Sequence, residues 1–323
     1  MTDKEQSDVS AGESDAGAAP PTELLEGIAS DETHLELMHA RLTTLDGLEL
    51  QRFGRLEHLG LRQNLLTDMA GVEALPATLR ELDLYDNRIR RIAGLAALRE
   101  LRWLDLSFNK IRAIEGVDEL PRLEELFLVS NRIQTIENLS PLVNLTYLEL
   151  GDNRIRQIGG LDALVNLEQL FLGKNKIARL ENLGALERLR VLSIQSNRIV
   201  KLEGLERLGR LEELYLSHNG IAEIEGLEHN ARLTILDVTS NRLTRLANIA
   251  HLQRLEDLWA SGNQLARFDN IESECAGLGR LRTVYFEFNP VQREQPANYR
   301  RKLMLALPQI TQIDATLCRR PAE

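Results

Sequence analysis

Cysteine is nearly absent from this chain of 323 residues: Cys275 and Cys318 are its only two, and they stand in no metal-ligand spacing. A secreted repeat protein ordinarily staples its ends with disulfides, so this count points to a reducing compartment. Aromatic residues are scarce as well, at 4%, and a chain that is 43% hydrophobic must then build its core mostly from leucine and isoleucine. There is no excess of basic charge. The 39 Lys and Arg against 49 Asp and Glu leave a net charge of −10. Nucleic acid and anionic membrane both require a concentrated basic face, so neither is expected as a partner. No apolar run reaches the roughly 18 residues needed to cross a bilayer, and "MTDKEQSDVS" lacks the apolar stretch of a signal peptide. The expectation is a soluble protein of nucleus and cytoplasm.

What is present is a repeat. Asn87, Asn109, Asn131, Asn153, Asn175, Asn197, Asn219, Asn241 and Asn263 follow one another at a constant spacing of 22 residues; Asn64 precedes them by 23 and Asn289 follows by 26. Around each runs L-x-x-L-x-L-x-x-N-x-I/L-x-x-I/L, as in "LRWLDLSFNKIRAIEGVDEL". This is the leucine-rich-repeat signature, and a degenerate first copy, "HLELMHARLTTL", carries Ala40 in the asparagine position. The alternating x-L-x-L-x stretch predicts a short strand with its leucines inward. The asparagine predicts a buried side chain bonded to its own turn and to the next repeat. So short a period leaves no room for a long helix on the return path.

The fold expected is an α/β solenoid, a leucine-rich-repeat horseshoe of about 12 repeats. Its parallel β-sheet lines the concave side, its convex side is made of short 3-10 or helical turns, and its caps are helical at both ends. The divisions read from the sequence are a disordered acidic arm over 1–21, an N-terminal cap over 22–33, repeats over 34–291, a C-terminal cap over 292–318 and a loose tail over 319–323. The arm has almost nothing apolar to bury, and is either an inert tail or a phosphorylated or partner-binding segment. In the C-terminal cap Tyr299, Leu303, Leu305 and Leu307 are expected to cover the open end before "LPQITQID" returns to the sheet.

Counting from the first leucine of a repeat, positions 3, 5 and 7 should project from the concave sheet. Across the ten repeats that start with Leu79, these positions include Tyr85, Trp103, Asp105, Phe127, Tyr147, Glu149 and Phe171, then Glu213, Tyr215, Asp237, Asp257, Trp259 and Tyr285. The whole outward set holds eight of the 14 aromatic residues, both tryptophans among them, with nine carboxylates and no Lys or Arg. Large anchors joined to charge of one sign suit a protein-binding surface better than mere cross-strand packing. The basic residues lie elsewhere, in ridges along the turns: Arg88, Lys110, Arg132 and Arg154 each follow a repeat asparagine. The expectation is a solvated ridge pairing with Glu115, Glu137 and Glu203; contact with phosphate or RNA is the alternative.

No catalytic or metal-binding constellation is found. The histidines form no HExxH or Cys/His cluster, no Gly-rich phosphate loop follows a strand, and paired carboxylates such as Glu212 and Glu213 lie on an open sheet. The protein is therefore expected not to be an enzyme and to need no cofactor.

The repeats, their number, the acidic arm and the cap "NYRRKLMLALPQITQID" resemble the family of protein phosphatase 1 regulatory subunit 7, leucine-rich-repeat partners of the phosphatase catalytic subunit, over residues 34–318. The resemblance implies that the phosphatase is gripped by Asp105, Phe127, Glu149, Phe171, Asp237, Asp257, Trp259 and Tyr285. Asp257 stands where the family would have Glu, a shorter reach for one contact. Tyr85, Trp103, Tyr147, Glu213 and Tyr215 extend this set on the residue pattern alone. The implied function is a non-catalytic regulator, monomeric on its own, that binds the phosphatase catalytic subunit and governs its activity, maturation or nuclear localisation. Axonemal and spliceosomal scaffolds share the repeat and are the alternative. "RTVYF" (282–286) matches a short phosphatase-docking motif, but the register turns Val284 and Phe286 into the core.

Overall fold

The computed structural model describes residues 24–318. The arm expected over 1–21 and the tail expected over 319–323 lie outside the described residues.

Each repeat contributes one strand of three residues to a single 14-stranded sheet. It begins with β1 (His34–Glu36), β2 (His58–Gly60), β3 (Glu81–Asp83) and β4 (Trp103–Asp105), and proceeds in sequence order to β12 (Thr283–Tyr285). Neighbouring strands are parallel and in strict register, so that Leu82 lies opposite Leu104, and Leu104 opposite Leu126. These leucines are fully buried, as are the isoleucines after each asparagine, such as Ile89, Ile111 and Ile133. Each contributes roughly 1.5–3 kcal/mol of burial, which no single repeat could retain without its neighbours.

The asparagines do what their period predicts, with one difference of direction. Asn153 Nδ2 donates to the carbonyls of Leu150 (3.1 Å) and Gly151 (3.1 Å) in its own turn and to Leu128 O (2.8 Å) in the preceding repeat. Its Oδ1 accepts the Ile133 N–H at 3.0 Å, also from the preceding repeat. The expected bond to the following repeat is instead made by that repeat's own asparagine. The groups left unpaired at the end of a strand face the incoming turn, so each asparagine reaches back.

The convex side is built from successive single turns, such as Leu98 N–H to Leu95 O (2.9 Å) and Leu101 N–H to Leu98 O (3.0 Å). One residue of this path lies at positive φ. Gly116, Gly160, Gly204 and Gly226 occupy it in some repeats, Asn138, Asn182 and Asn248 in others. A Cβ on Gly160 would sit 2.6 Å from Ile136 O, whereas Asn138 donates its side-chain amide to the equivalent Ile114 O at 2.7 Å. The two residue types answer the same constraint in different ways. Where the asparagine spacing lengthens to 26, the extra residues form the helix α1 (Phe268–Cys275).

The caps differ from each other. At the C-terminus α2 (Pro290–Arg293) and α3 (Tyr299–Ala306) lead to β13 (Gln312–Ile313), parallel to β12, and β14 (Thr316–Leu317) pairs antiparallel on its far side. Tyr299, Leu303 and Leu307 are buried one helical turn apart, but Leu305 lies on the opposite face and is 73% exposed, so it does not cover the end as expected. At the N-terminus the described residues contain no α-helix. Leu24 and Leu25 are in 3-10 conformation, and Gly27 at φ 81° turns the chain away.

Two outcomes follow for stability. Asn153→Ala strands the buried Ile133 N–H, while the carbonyls of Leu128, Leu150 and Gly151 keep their other donors, and it should lower the unfolding free energy in urea by about 1–3 kcal/mol. Gly160→Ala should cost roughly 1–3 kcal/mol in the same measurement, while Gly160→Asn should be clearly better tolerated, because it acquires the bond seen at Asn138.

Candidate functional site

Strict register aligns the outward positions of successive strands into columns. The rings fall into two groups. Trp103, Phe127, Tyr147 and Phe171 zigzag between the first and second columns, their centroids 5.3, 4.8 and 5.0 Å apart in turn. Tyr215, Trp259 and Tyr285 form the second group, with 6.1 Å between successive rings. Val191–Ser193, which carries no ring, separates them. Tyr85 packs instead on Phe108 at 4.9 Å. Apart from Phe108, which is exposed, these rings are half-buried. They pack on one another, at about 0.5–1.5 kcal/mol per pair, and still present part of their surface.

The carboxylates divide by length. Asp105 and Asp237, expected in open display, are only 8% and 7% exposed. Each turns back along its strand and accepts the backbone N–H two residues on, Ser107 at 2.7 Å and Thr239 at 2.9 Å. Asp83 does the same with Tyr85 at 3.0 Å. At this position an aspartate is short enough to bond its own backbone, and it gives up exposure to do so. The longer acids meet phenols instead: Tyr147 OH donates to Glu149 at 3.2 Å and Tyr215 OH to Glu213 at 2.8 Å. Asp257 is half-buried and makes no side-chain hydrogen bond among the described residues.

Burial is the largest influence on these groups, and it raises the pKa of Asp83, Asp105, Glu125, Glu149 and Glu287. Hydrogen bonds from Ser107 and Tyr147 oppose the rise at Asp105 and Glu149. All five acids belong to the concave face. Arg62 lies 3.4 Å from Asp83, but among the described residues no cation pairs with the other four, and a cationic surface would relieve their partly desolvated charge.

Two residues of this surface, Phe108 and His58, are not marked as site residues by the repeat pattern. Phe108 stands at φ 56° just before its asparagine and is 45% exposed, at a position otherwise held mostly by polar residues. With Glu149, Phe171 and Gln195 it borders a hollow of about 280 Å³ that opens where Gly151 and Gly173 have no side chain. At the N-terminal end His58 bridges Glu36 and Glu81, with both ring nitrogens 2.9 Å from a carboxylate. The signal for Phe108 was a Phe in a polar column; the His58 bridge depends on strand register. Val284 and Phe286 of "RTVYF" are fully buried, as the register required. Among the described residues no cluster of His, Cys, Asp or Glu is arranged to hold a metal, and no helix is long and apolar enough to cross a membrane.

Comparison with known proteins agrees with this architecture. A family model described as leucine-rich repeat matches residues 54–155, and one described as leucine-rich repeats in two copies matches successive windows from 143–185 to 209–251. Together they span more than half of the chain. A protein phosphatase 1 regulatory subunit SDS22 from Schizosaccharomyces pombe is 60% identical over 47 residues, which is 15% of this chain and 14% of that protein. Its namesake from Saccharomyces cerevisiae is 47% identical over 73 residues, 22% of each chain. The matched segments therefore span less than a quarter of these relatives' length. Among solved structures, an internalin (inlF) from Listeria monocytogenes superposes with a TM-score of 0.71 at 21% identity, over 93% of this chain and 95% of that one. At that identity the likeness is one of fold.

The His58 bridge has a pH signature. Burial alone would lower its pKa, but the bonds to Glu81 and Glu36 together outweigh burial and raise it above 6.5. Its stabilisation is therefore complete below pH 6.5 and is lost as pH rises through the raised value. The difference in melting temperature between the native protein and His58→Gln should shrink as the pH is raised from mildly acidic to mildly alkaline.

Proposed function

The chain belongs to the leucine-rich-repeat family, and on that premise we propose that it is a non-catalytic regulatory protein that binds the protein phosphatase 1 catalytic subunit through its concave face. The observation that carries this reading is the coincidence, on one sheet face, of partly exposed ring ladders with under-compensated carboxylates. The names of the yeast relatives, both regulatory subunits of that phosphatase, support the partner.

The residues take distinct parts in this reading. Phe127, Phe171, Trp259 and Tyr285 are the apolar anchors, already held in place by neighbouring rings, so little rotamer freedom is lost on binding. The Trp259 indole N–H is buried without a hydrogen-bond partner among the described residues, so a partner would meet the exposed part of the ring and not the N–H. Glu149 and Asp257 meet basic groups directly. Asp105 and Asp237, whose carboxylates brace their own strand ends, contribute mainly through their field and through the backbone they hold. Tyr85, Trp103, Tyr147, Glu213 and Tyr215 widen the same surface. Complementary charge orients the encounter, while the rings supply affinity. A binding protein of this kind acts in nucleus and cytoplasm by controlling the activity, maturation or nuclear localisation of the subunit it holds.

Recombinant catalytic subunit should be retained by the immobilised protein. Trp259→Ala combined with Glu149→Ala should weaken retention by about tenfold or more while circular dichroism stays unchanged. Undiminished retention would remove the concave face from consideration. Recovery from cells of one other stoichiometric partner without the phosphatase would favour a scaffold of spliceosomal or axonemal type.

A further inference from the structure

The cations that follow the repeat asparagines form a charged set that the concave-face reading leaves unused. After each asparagine the chain turns one isoleucine into the core, and the residues on either side of it project together from the edge of the sheet. Arg88 and Arg90 flank Ile89, Lys110 and Arg112 flank Ile111, and Arg132 precedes Ile133. Four of these side chains, Arg90, Lys110, Arg112 and Arg132, line a notch of about 210 Å³ into which no acidic residue reaches.

Among the described residues, pairing of this ridge with Glu115, Glu137 and Glu203 does not occur. Glu115 is bonded at 2.9 Å by Arg91, and Glu203 by Arg179 at 3.2 Å, from a different column of the same turns. Other arginines are also paired, as Arg99 is with Glu119 at 3.0 Å and Arg190 with Glu212 at 2.8 Å. Among the described residues none of the four notch cations makes an ion pair or a side-chain hydrogen bond. In a chain of net charge −10, four unpaired cations converge where like charges repel. Guanidinium forks held this way match the oxygens of a phosphate in a bidentate manner.

We propose that this notch binds a phosphorylated, acidic segment of a protein. The site is small and local, which suits a short cluster of phosphates. No aromatic side chain lines the notch to stack a base. The site lies beside the concave face and is independent of what that face holds, so two partners, or two segments of one partner, can be engaged at once.

The test is fluorescence anisotropy of the full chain with a labelled synthetic peptide carrying clustered phosphoserines among glutamates. Its unphosphorylated counterpart and a polyuridine oligonucleotide of matched charge serve as comparisons. The phosphopeptide should bind more tightly than either, and less tightly as salt is raised. The combination Arg90→Gln, Lys110→Gln, Arg112→Gln and Arg132→Gln should weaken binding by about tenfold or more, whereas Arg99→Gln with Arg190→Gln should leave it within about twofold. Arg90→Lys, Arg112→Lys and Arg132→Lys together should retain most of the affinity, which separates loss of charge from loss of fold. Failure to bind the phosphopeptide, binding undiminished in the fourfold Gln variant, or tighter binding of the oligonucleotide would each overturn the proposal.

Discussion

An asparagine at the end of each strand bonds two successive turns at once, and much else in this structure depends on that contact. Asn109 links the carbonyls of Leu106 and Ser107 to Leu84 O and the Ile89 N–H of the repeat before it. The carbonyls also accept from neighbouring asparagines or the Asp86 N–H, but the buried Ile89 N–H has no other partner, so removing the side chain would strand that amide and break several links at once. Because every repeat must meet its neighbour through this bond, the length and register of each are constrained together. The 22-residue period is the sequence trace of that constraint.

Fixed register gives each outward position a direction and the same neighbours on either side. Ring meets ring or carboxylate across the concave columns, as Phe127 meets Tyr147. Cations gather at the edge, where the chain turns down around each buried isoleucine. The acidic face and the basic notch are thus products of one geometric rule applied to different columns. Segregation of this kind lets an acidic protein present a cationic site without neutralising it, because the competing glutamates are engaged by other columns, as Glu115 is by Arg91.

Much of this was legible in the sequence, for a physical reason. The period of two within strands and of 22 between them states which side chains face inward, and the burial of Leu82, Leu104 and Ile111 follows from it directly. Trp259 and Tyr285 hold the same outward position in successive repeats, and the register places Trp259 opposite Tyr285. What periodicity does not state is what a side chain does after it leaves the backbone. Asp105 and Asp257 occupy outward positions of the same kind of strand, yet Asp105 folds back on the Ser107 N–H and is buried. Hydrophobicity alone groups Leu305 with Tyr299, Leu303 and Leu307, although helical spacing sets it on the opposite face.

The sequence by itself determined the solenoid, the direction of nearly every leucine and isoleucine, and the separation of acid and aromatic residues from basic ones. These follow from local alternation and a fixed repeat length, which any stack of such units must obey. The tertiary structure alone decided which charges are compensated. Whether Glu115 meets Arg91 or Arg88, and whether His58 reaches both Glu36 and Glu81, depends on distances across repeats and on rotamers chosen by packing. The sites proposed for this protein depend on that second kind of information, because binding energy at a charged surface resides in the charges that folding leaves unsatisfied.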